Sequence, residues 1–231
     1  MDNKISIIVA AYNEEKTIIE ILENIKKTKN NNFEYEIIII NDGSKDNTIK
    51  LLTENPNLYQ KLIDLKENKG KGFAIKEGLR IATGDYIIFQ DADLEYDPAD
   101  INHICEIYEK FNADLIIGSR IRYRNFTRSH NFFNLIGNKL ITLIFNIINN
   151  TTFTDVYTCY LSFKREHLDP ERLKTNGFEQ QAEILGILMR KCKKNYEIPI
   201  NYSGRDFSEG KKIRFYHIFS VLYQIIKGKI L

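Results

Sequence analysis

The sequence predicts an α/β fold with a mainly parallel central sheet flanked by helices. Three observations carry that expectation. Short β-branched runs alternate with stretches of helical periodicity through the first half of the chain, the pattern of successive βα units. The run at 35–40 (YEIIII) is almost continuously apolar, as a strand covered on both faces must be. Polar or glycine-bearing turns follow the apolar runs, where a parallel sheet gathers its ligand-binding loops.

Taken in order, 5–10 (ISIIVA) is the first strand, and Asn13 caps a helix whose Ile18, Ile21, Leu22 and Ile25 follow the helical period. Residues 35–40 form the second strand, and Asn41-Asp42-Gly43-Ser44 turns into a helix from about Asp46. A third strand is expected near 59–65, then a glycine turn at Asn68-Lys69-Gly70-Lys71-Gly72 and a helix to about Ala82. Residues 86–89 (YIIF) are the fourth strand. Asp97-Pro98 supplies a cap and a first-turn proline for a helix with Ile101, Ile104 and Tyr108 on one face. Residues 113–118 (ADLIIG) close the first half as the fifth strand. Beyond them the sequence predicts an arginine-rich loop, a helix over 131–149, a strand near 157–164, a helix near 180–191, a strand near 196–202 and a last helix from about Ile213.

With 231 residues, 43% of them hydrophobic, the chain suits a single domain spanning 1–231. Its three cysteines, Cys105, Cys159 and Cys192, are odd in number and widely spaced, which argues against a disulfide framework and for a reducing compartment. No secretory leader is recognisable, and no apolar stretch reaches the ~18 residues that span a bilayer. The expectation is a cytoplasmic protein, soluble or peripheral on the cytoplasmic face of the membrane.

Net charge is only +2, yet it is unevenly placed. Residues 1–118 hold 14 Lys+Arg against 22 Asp+Glu, and 119–231 hold 19 against 9. An acidic half suits a divalent cation and a nucleotide site, and a basic half suits phosphates or an anionic surface on the acceptor side.

The chemistry-bearing residues are those just past each strand. Asp91 and Asp93 follow YIIF-Gln directly; two residues apart in extended chain, their carboxylates face one side, as sharing a hard cation and a diphosphate requires. The 13 Asp make a chance D-x-D triplet unsurprising, so position after a strand is what gives this one weight. Asp42 suits hydrogen bonds from a nucleobase, with Tyr12 and Glu14 flanking base and ribose, or else Asp42 and Ser44 build an Asx-type turn. Gly70 and Gly72 permit close backbone approach, and Lys69 or Lys71 suits a phosphate, with a plain turn as the alternative.

Four ordered segments, 6–15 (SIIVAAYNEE), 39–48 (IINDGSKDNT), 68–78 (NKGKGFAIKEG) and 84–98 (GDYIIFQDADLEYDP), resemble family 2 glycosyltransferases of the GT-A fold. The branch most similar is that of dolichol-phosphate mannose synthases and polyprenyl-phosphate glycosyltransferases, with 118–120 (GSR), 155–160 (DVYTCY), 177–179 (GFE) and 204–213 (GRDFSEGKKI) also alike. The chain departs in reading Ala-Ala-Tyr where many relatives carry a proline, and in lacking C-terminal membrane spans.

The resemblance implies a nucleotide-sugar site at Ala10, Ala11, Tyr12, Glu14, Asp42, Gly43, Lys71 and Ala92, with Asp91 and Asp93 binding Mg2+ or Mn2+ across the diphosphate. Arg120, Arg128, Arg205 and Lys211 then grip donor or acceptor phosphates. It implies an inverting hexosyltransferase using a UDP- or GDP-linked donor, with a polyprenyl (dolichyl-type) phosphate as acceptor. A lipid phosphate is already anionic and needs no strong base. A sugar hydroxyl on a surface polysaccharide is the alternative acceptor and requires a carboxylate to take its proton, for which Asp155 and Glu179 are the candidates. A nucleotidyltransferase needs a glycine-rich basic loop after the first strand, and a dehydrogenase needs G-x-G-x-x-G there; the chain has neither. No nucleic-acid partner is expected. A last helix mixing Ile218, Phe219, Leu222 and Ile226 with Lys227 and Lys229 suits peripheral contact with anionic lipid, or packing against a second subunit in a homo-oligomer.

Overall fold

The computed structural model describes residues 3–28, 30, 32–122, 132–177, 179–204 and 217–230. The expected strands assemble into one seven-stranded sheet. β1 (Asn3–Ala11), β2 (Phe33–Asn41), β3 (Lys61–Asp64), β4 (Tyr86–Asp91), β5 (Leu115–Ser119), β6 (Leu161–Lys164) and β7 (Asn195–Pro199) lie in the order β3-β2-β1-β4-β6-β5-β7. Six strands run the same way, and β6 lies antiparallel between β4 and β5.

Helices cover both faces, which is why the central strands read as unbroken apolar runs. Along β1, alternate residues serve opposite cores: Ile8 packs with α3 (Lys71–Ile81), α5 (Phe132–Asn149), α6 (Gln180–Leu188) and α7 (His217–Ile230). Ile7 and Val9 pack on the other side with α1 (Ile18–Lys27) and α4 (Ile101–Phe111). The short α2 (Thr48–Glu54) follows β2.

Two local expectations are corrected. Asn13 does not cap α1; it adopts a left-handed backbone (φ 53°), and its Oδ1 accepts from Lys45 N at 2.8 Å, tying the loop after β1 to the loop after β2. The helix begins at Ile18, after a turn in which Thr17 N and Ile18 N both donate to Glu14 O. Asp46 lies outside α2 and caps it, accepting from Thr48 N at 3.0 Å. Asp97, by contrast, caps the turn at Pro98–Asp100 through Ala99 N at 2.9 Å, as its position before proline predicts.

At the amino ends of the strands, away from the site, Glu36 is buried among Ser6, Thr83 and Lys61, whose Nζ lies 2.8 Å away. Burial would raise its pKa, but these hydrogen bonds outweigh that and pull it down to about 2.

Candidate active site

The sheet's register decides which residues meet. Ala10 pairs with Asp91 on one side and Ile40 on the other, and Ala11 with Asn41, which pairs with Asp64. The loops after β1, β2, β3 and β4 therefore open at one level on one edge. Asp91 is the last residue of β4, and its side chain is 15% exposed.

Asp93 sits just beyond, in a turn that Leu94 completes with a left-handed backbone (φ 61°), and its Oδ1 accepts from Glu95 N at 3.1 Å. The chain therefore leaves the extended form at Asp91. The two-residue alternation that predicts a shared side for both carboxylates stops there, and it is the turn that sets Asp93's direction. Ala92, between them, is buried.

Lys71, the first residue of α3, reaches Asp91 Oδ1 with its ammonium and also lies 3.2 Å from Cys159 Sγ. Burial works to lower the Lys71 pKa, but Asp91 foremost and Cys159 behind it raise it well above the usual value. Burial, then the Asp91 charge, pushes the Cys159 thiol up to about 12, so it is neutral near pH 7 and unsuited to nucleophilic attack.

The basic side of the site is fixed by a pair 35 residues apart in sequence. Arg120, just past β5, donates from Nε to Asp155 Oδ2 at 2.7 Å and from Nη2 to Oδ1 at 2.8 Å, and its backbone N also reaches Oδ2. Asp155 is fully buried. Arg120 Nη2 further donates to Tyr157 O at 2.7 Å, and its guanidinium lies 5.3 Å from the Tyr202 ring centroid. Asp155 is thus committed at both oxygens to orienting Arg120, which removes it as a base for an acceptor hydroxyl. Glu179 precedes α6, and its Oε1 accepts from Gly177 N at 3.3 Å. Tyr157 feels Cys159, Lys71, Glu179 and Arg120 together, which places these groups around one electrostatic neighbourhood.

Several residues expected to touch a nucleotide also hold the loops. Asp42 is buried and accepts from Lys69 N at 2.8 Å and Gly70 N at 3.0 Å, locking the turn after β2 to the glycine turn. This is not a local Asx turn, because its partners come from a loop 27 residues on. Gly43 (φ 66°) admits the backbone of Glu67 and Asn68. Gly70 (φ 96°) and Gly72 admit a protein group too: a Cβ on either would lie 2.6 Å from the Asn176 backbone, whose carbonyl accepts from Gly72 N at 2.8 Å.

Glu14 is buried, and its carboxylate accepts from Thr17 Oγ1 at 3.2 Å beside the start of α1. Tyr12 is partly exposed at the same edge. Arg128, Arg205 and Lys211 lie outside the described residues. Sequence reasoning missed Cys159, Tyr157 and Tyr202; the first two carried only the likeness of 155–160, which gives no role to the individual side chains, and Tyr202 carried no signal.

Asp91 and Asp93 are hard oxygen donors, and the cation already beside Asp91 is the Lys71 ammonium. Among the described residues no three His, Cys, Asp or Glu side chains gather as a metal-binding group. Two carboxylates suit a hard cation only if other oxygen ligands complete its shell.

The family model for glycosyl transferase family 2 matches residues 6–169, which include every loop of this edge up to the 155–160 segment. The chain belongs to that family. This glycosyltransferase is 29% identical to the undecaprenyl-phosphate 4-deoxy-4-formamido-L-arabinose transferase of Proteus mirabilis (strain HI4320), over 97% of its own length and 67% of that protein's. It is 40% identical to the dolichyl-phosphate beta-glucosyltransferase of Dictyostelium discoideum, over 50% of the chain and 39% of the relative. It is 29% identical to the UDP-N-acetylglucosamine--dolichyl-phosphate N-acetylglucosaminyltransferase of Methanococcus voltae, covering 100% of the chain and 99% of the relative.

Among solved structures, the glucosyl-3-phosphoglycerate synthase of Mycobacterium tuberculosis with Mn2+, UDP-glucose and phosphoglyceric acid superposes with a TM-score of 0.71 at 15% identity. That match covers 99% of this glycosyltransferase and 80% of the synthase, and at such identity it shows the fold, GT-A, alone.

Proposed function

We propose that this glycosyltransferase moves a hexose, with inversion, from a uridine or guanosine diphosphate sugar to a polyprenyl phosphate at the cytoplasmic face of a membrane. The observation that carries the reading is the convergence of Asp91, Asp93 and Lys71 at the carboxyl edge of the sheet, with Arg120 fixed across from them by Asp155. The three relatives named above take a polyprenyl phosphate in their own names, and two of the three match nearly the whole chain.

Asp91 and Asp93 would hold Mg2+ or Mn2+. Bound there with the diphosphate, the cation supplies Lewis-acid neutralisation of charge on the leaving phosphate. Lys71 is mobile enough, as a four-carbon ammonium, to leave Asp91 for a donor phosphate oxygen. Arg120 cannot swing in the same way: a bidentate carboxylate and the Tyr157 carbonyl fix it, so it presents a preset charge to an acceptor phosphate.

The commitment of Asp155 supports the lipid-phosphate acceptor over a sugar hydroxyl. An anionic phosphate oxygen attacks without giving up a proton, so positioning is all that the protein must supply. The test is transfer of labelled sugar from a panel of UDP- and GDP-sugars to a short-chain polyprenyl phosphate. A phosphate-linked, stereochemically inverted product supports the reading; transfer only to sugar hydroxyls contradicts it.

A further inference from the structure

Helix α5 is amphipathic in an unusual sense: its outer face is apolar. Ile136, Leu140, Leu143 and Ile147 are between 45% and 72% exposed. At about 100° per residue the four fall within about 60° of arc, opposite the face that buries Ile141 and Phe145 in the core. α7, packed alongside, adds exposed Tyr223 and Ile226. Singly exposed apolar residues are ordinary, but a continuous row of four along one helix marks a contact surface.

The charge around the row says what covers it. Helix α5 has no Asp or Glu, and Lys139, its one charged residue, is exposed. No Asp or Glu occurs after Glu209 either, and Lys227 and Lys229 lie on α7. An apolar helix face with Lys139 exposed beside it, Lys227 over Tyr223 on the neighbouring helix and no carboxylate on either helix complements an anionic bilayer surface. A second copy would bring the same positive charge against it. No helix among the described residues is long and apolar enough to cross a membrane, so contact along the helix is the geometry left to this row.

We propose that the outer face of α5 lies in the boundary between headgroups and acyl chains of an anionic membrane. It sinks Ile136, Leu140, Leu143 and Ile147 while Lys139 reaches the phosphates. The inference deepens the lipid-acceptor reading and rests on it for its purpose, since a polyprenyl phosphate is presented at that boundary.

The experiment uses vesicles of phosphatidylcholine with about a third phosphatidylglycerol and no polyprenyl phosphate, so it is independent of turnover. The wild-type chain should float with them at low salt, and a Leu143→Glu/Ile147→Glu variant should bind at least tenfold less with its melting temperature unchanged. The chain contains no Trp, so Ile147→Trp gives a single reporter, and its emission should shift to the blue on vesicle addition. Phe111→Trp, at the exposed end of α4 on the opposite side of the sheet, should not shift.

Equal flotation of the double variant overturns the proposal, as does a shift at position 111 without one at 147. So does a wild-type dimer that fails to float and that the double variant dissociates. If the double variant does not fold, the two Trp reporters decide alone. Flotation that persists in an enzyme indifferent to polyprenyl phosphate supports the membrane face and refutes the acceptor reading.

Discussion

Lys71 at the start of α3 holds Asp91 at the end of β4 in an ion pair that closes 20 residues of chain across the active-site edge. The two side chains are only 29% and 15% exposed, so each is the other's main compensation for lost water.

Replacing Lys71 by Met leaves a half-buried carboxylate unbalanced. The variant should lose about 1–3 kcal/mol of stability without metal, the range for a partly buried broken pair. Added Mn2+ should restore much of that loss in thermal unfolding, and turnover should fall because a phosphate contact is gone. A melting temperature equal to wild type in chelator would show that the pair is unimportant.

Arg120 and Asp155 form the more buried pair, and the fork geometry matters more than the charge. Arg120→Lys keeps the charge but not the bidentate bond, so kcat should drop at least ~10-fold. Asp155→Ala should cost about 3–5 kcal/mol in urea unfolding, as a buried Arg is left alone.

Glu36 predicts the acid limb of stability. Its folded pKa of about 2 lies below the ordinary carboxylate value of 4.5, so its contribution is fully present above the ordinary value. It is lost as pH falls through the folded value, and it amounts to about 3 kcal/mol. Melting temperature followed from pH 6 to pH 2 should fall along this window, and Glu36→Gln should be less stable at pH 6 and flatter below ~4.5. A wild-type profile no steeper than the variant's would contradict the assignment.

Gly72→Ala tests the loop contact. The added Cβ meets the Asn176 backbone at 2.6 Å, and backbone cannot step aside as a flexible side chain would. A loss of about 1–3 kcal/mol is expected, with faster proteolysis of the 173–177 segment.

Much of this architecture was legible in the sequence because βα units are local. The runs at 5–10, 35–40 and 86–89 became β1, β2 and β4, and the carboxylate triplet was readable because it follows one of them directly. What local pattern does not encode is partnership at a distance. β6 enters the sheet between β4 and β5, so the expected strand at 157–164 keeps only Leu161–Lys164, and its first half bends through the site to deliver Tyr157 and Cys159.

The glycine turn hid its partner for a related reason. Absence of a side chain shows that something approaches, and here the Asn176 backbone, about 100 residues on, does so. Asp42 likewise spends both oxygens on Lys69 and Gly70, so its sequence neighbours could not reveal its task.

The most direct measurement is calorimetric titration of Mn2+ into the wild-type chain, Asp91→Asn and Asp93→Asn, each with and without UDP and GDP. In the wild type, Mn2+ should bind weakly alone and at least ~10-fold tighter with one of the two nucleotides, and either substitution should abolish that gain. Undiminished nucleotide-linked Mn2+ binding in both variants would contradict the account, because the cation would then be held elsewhere.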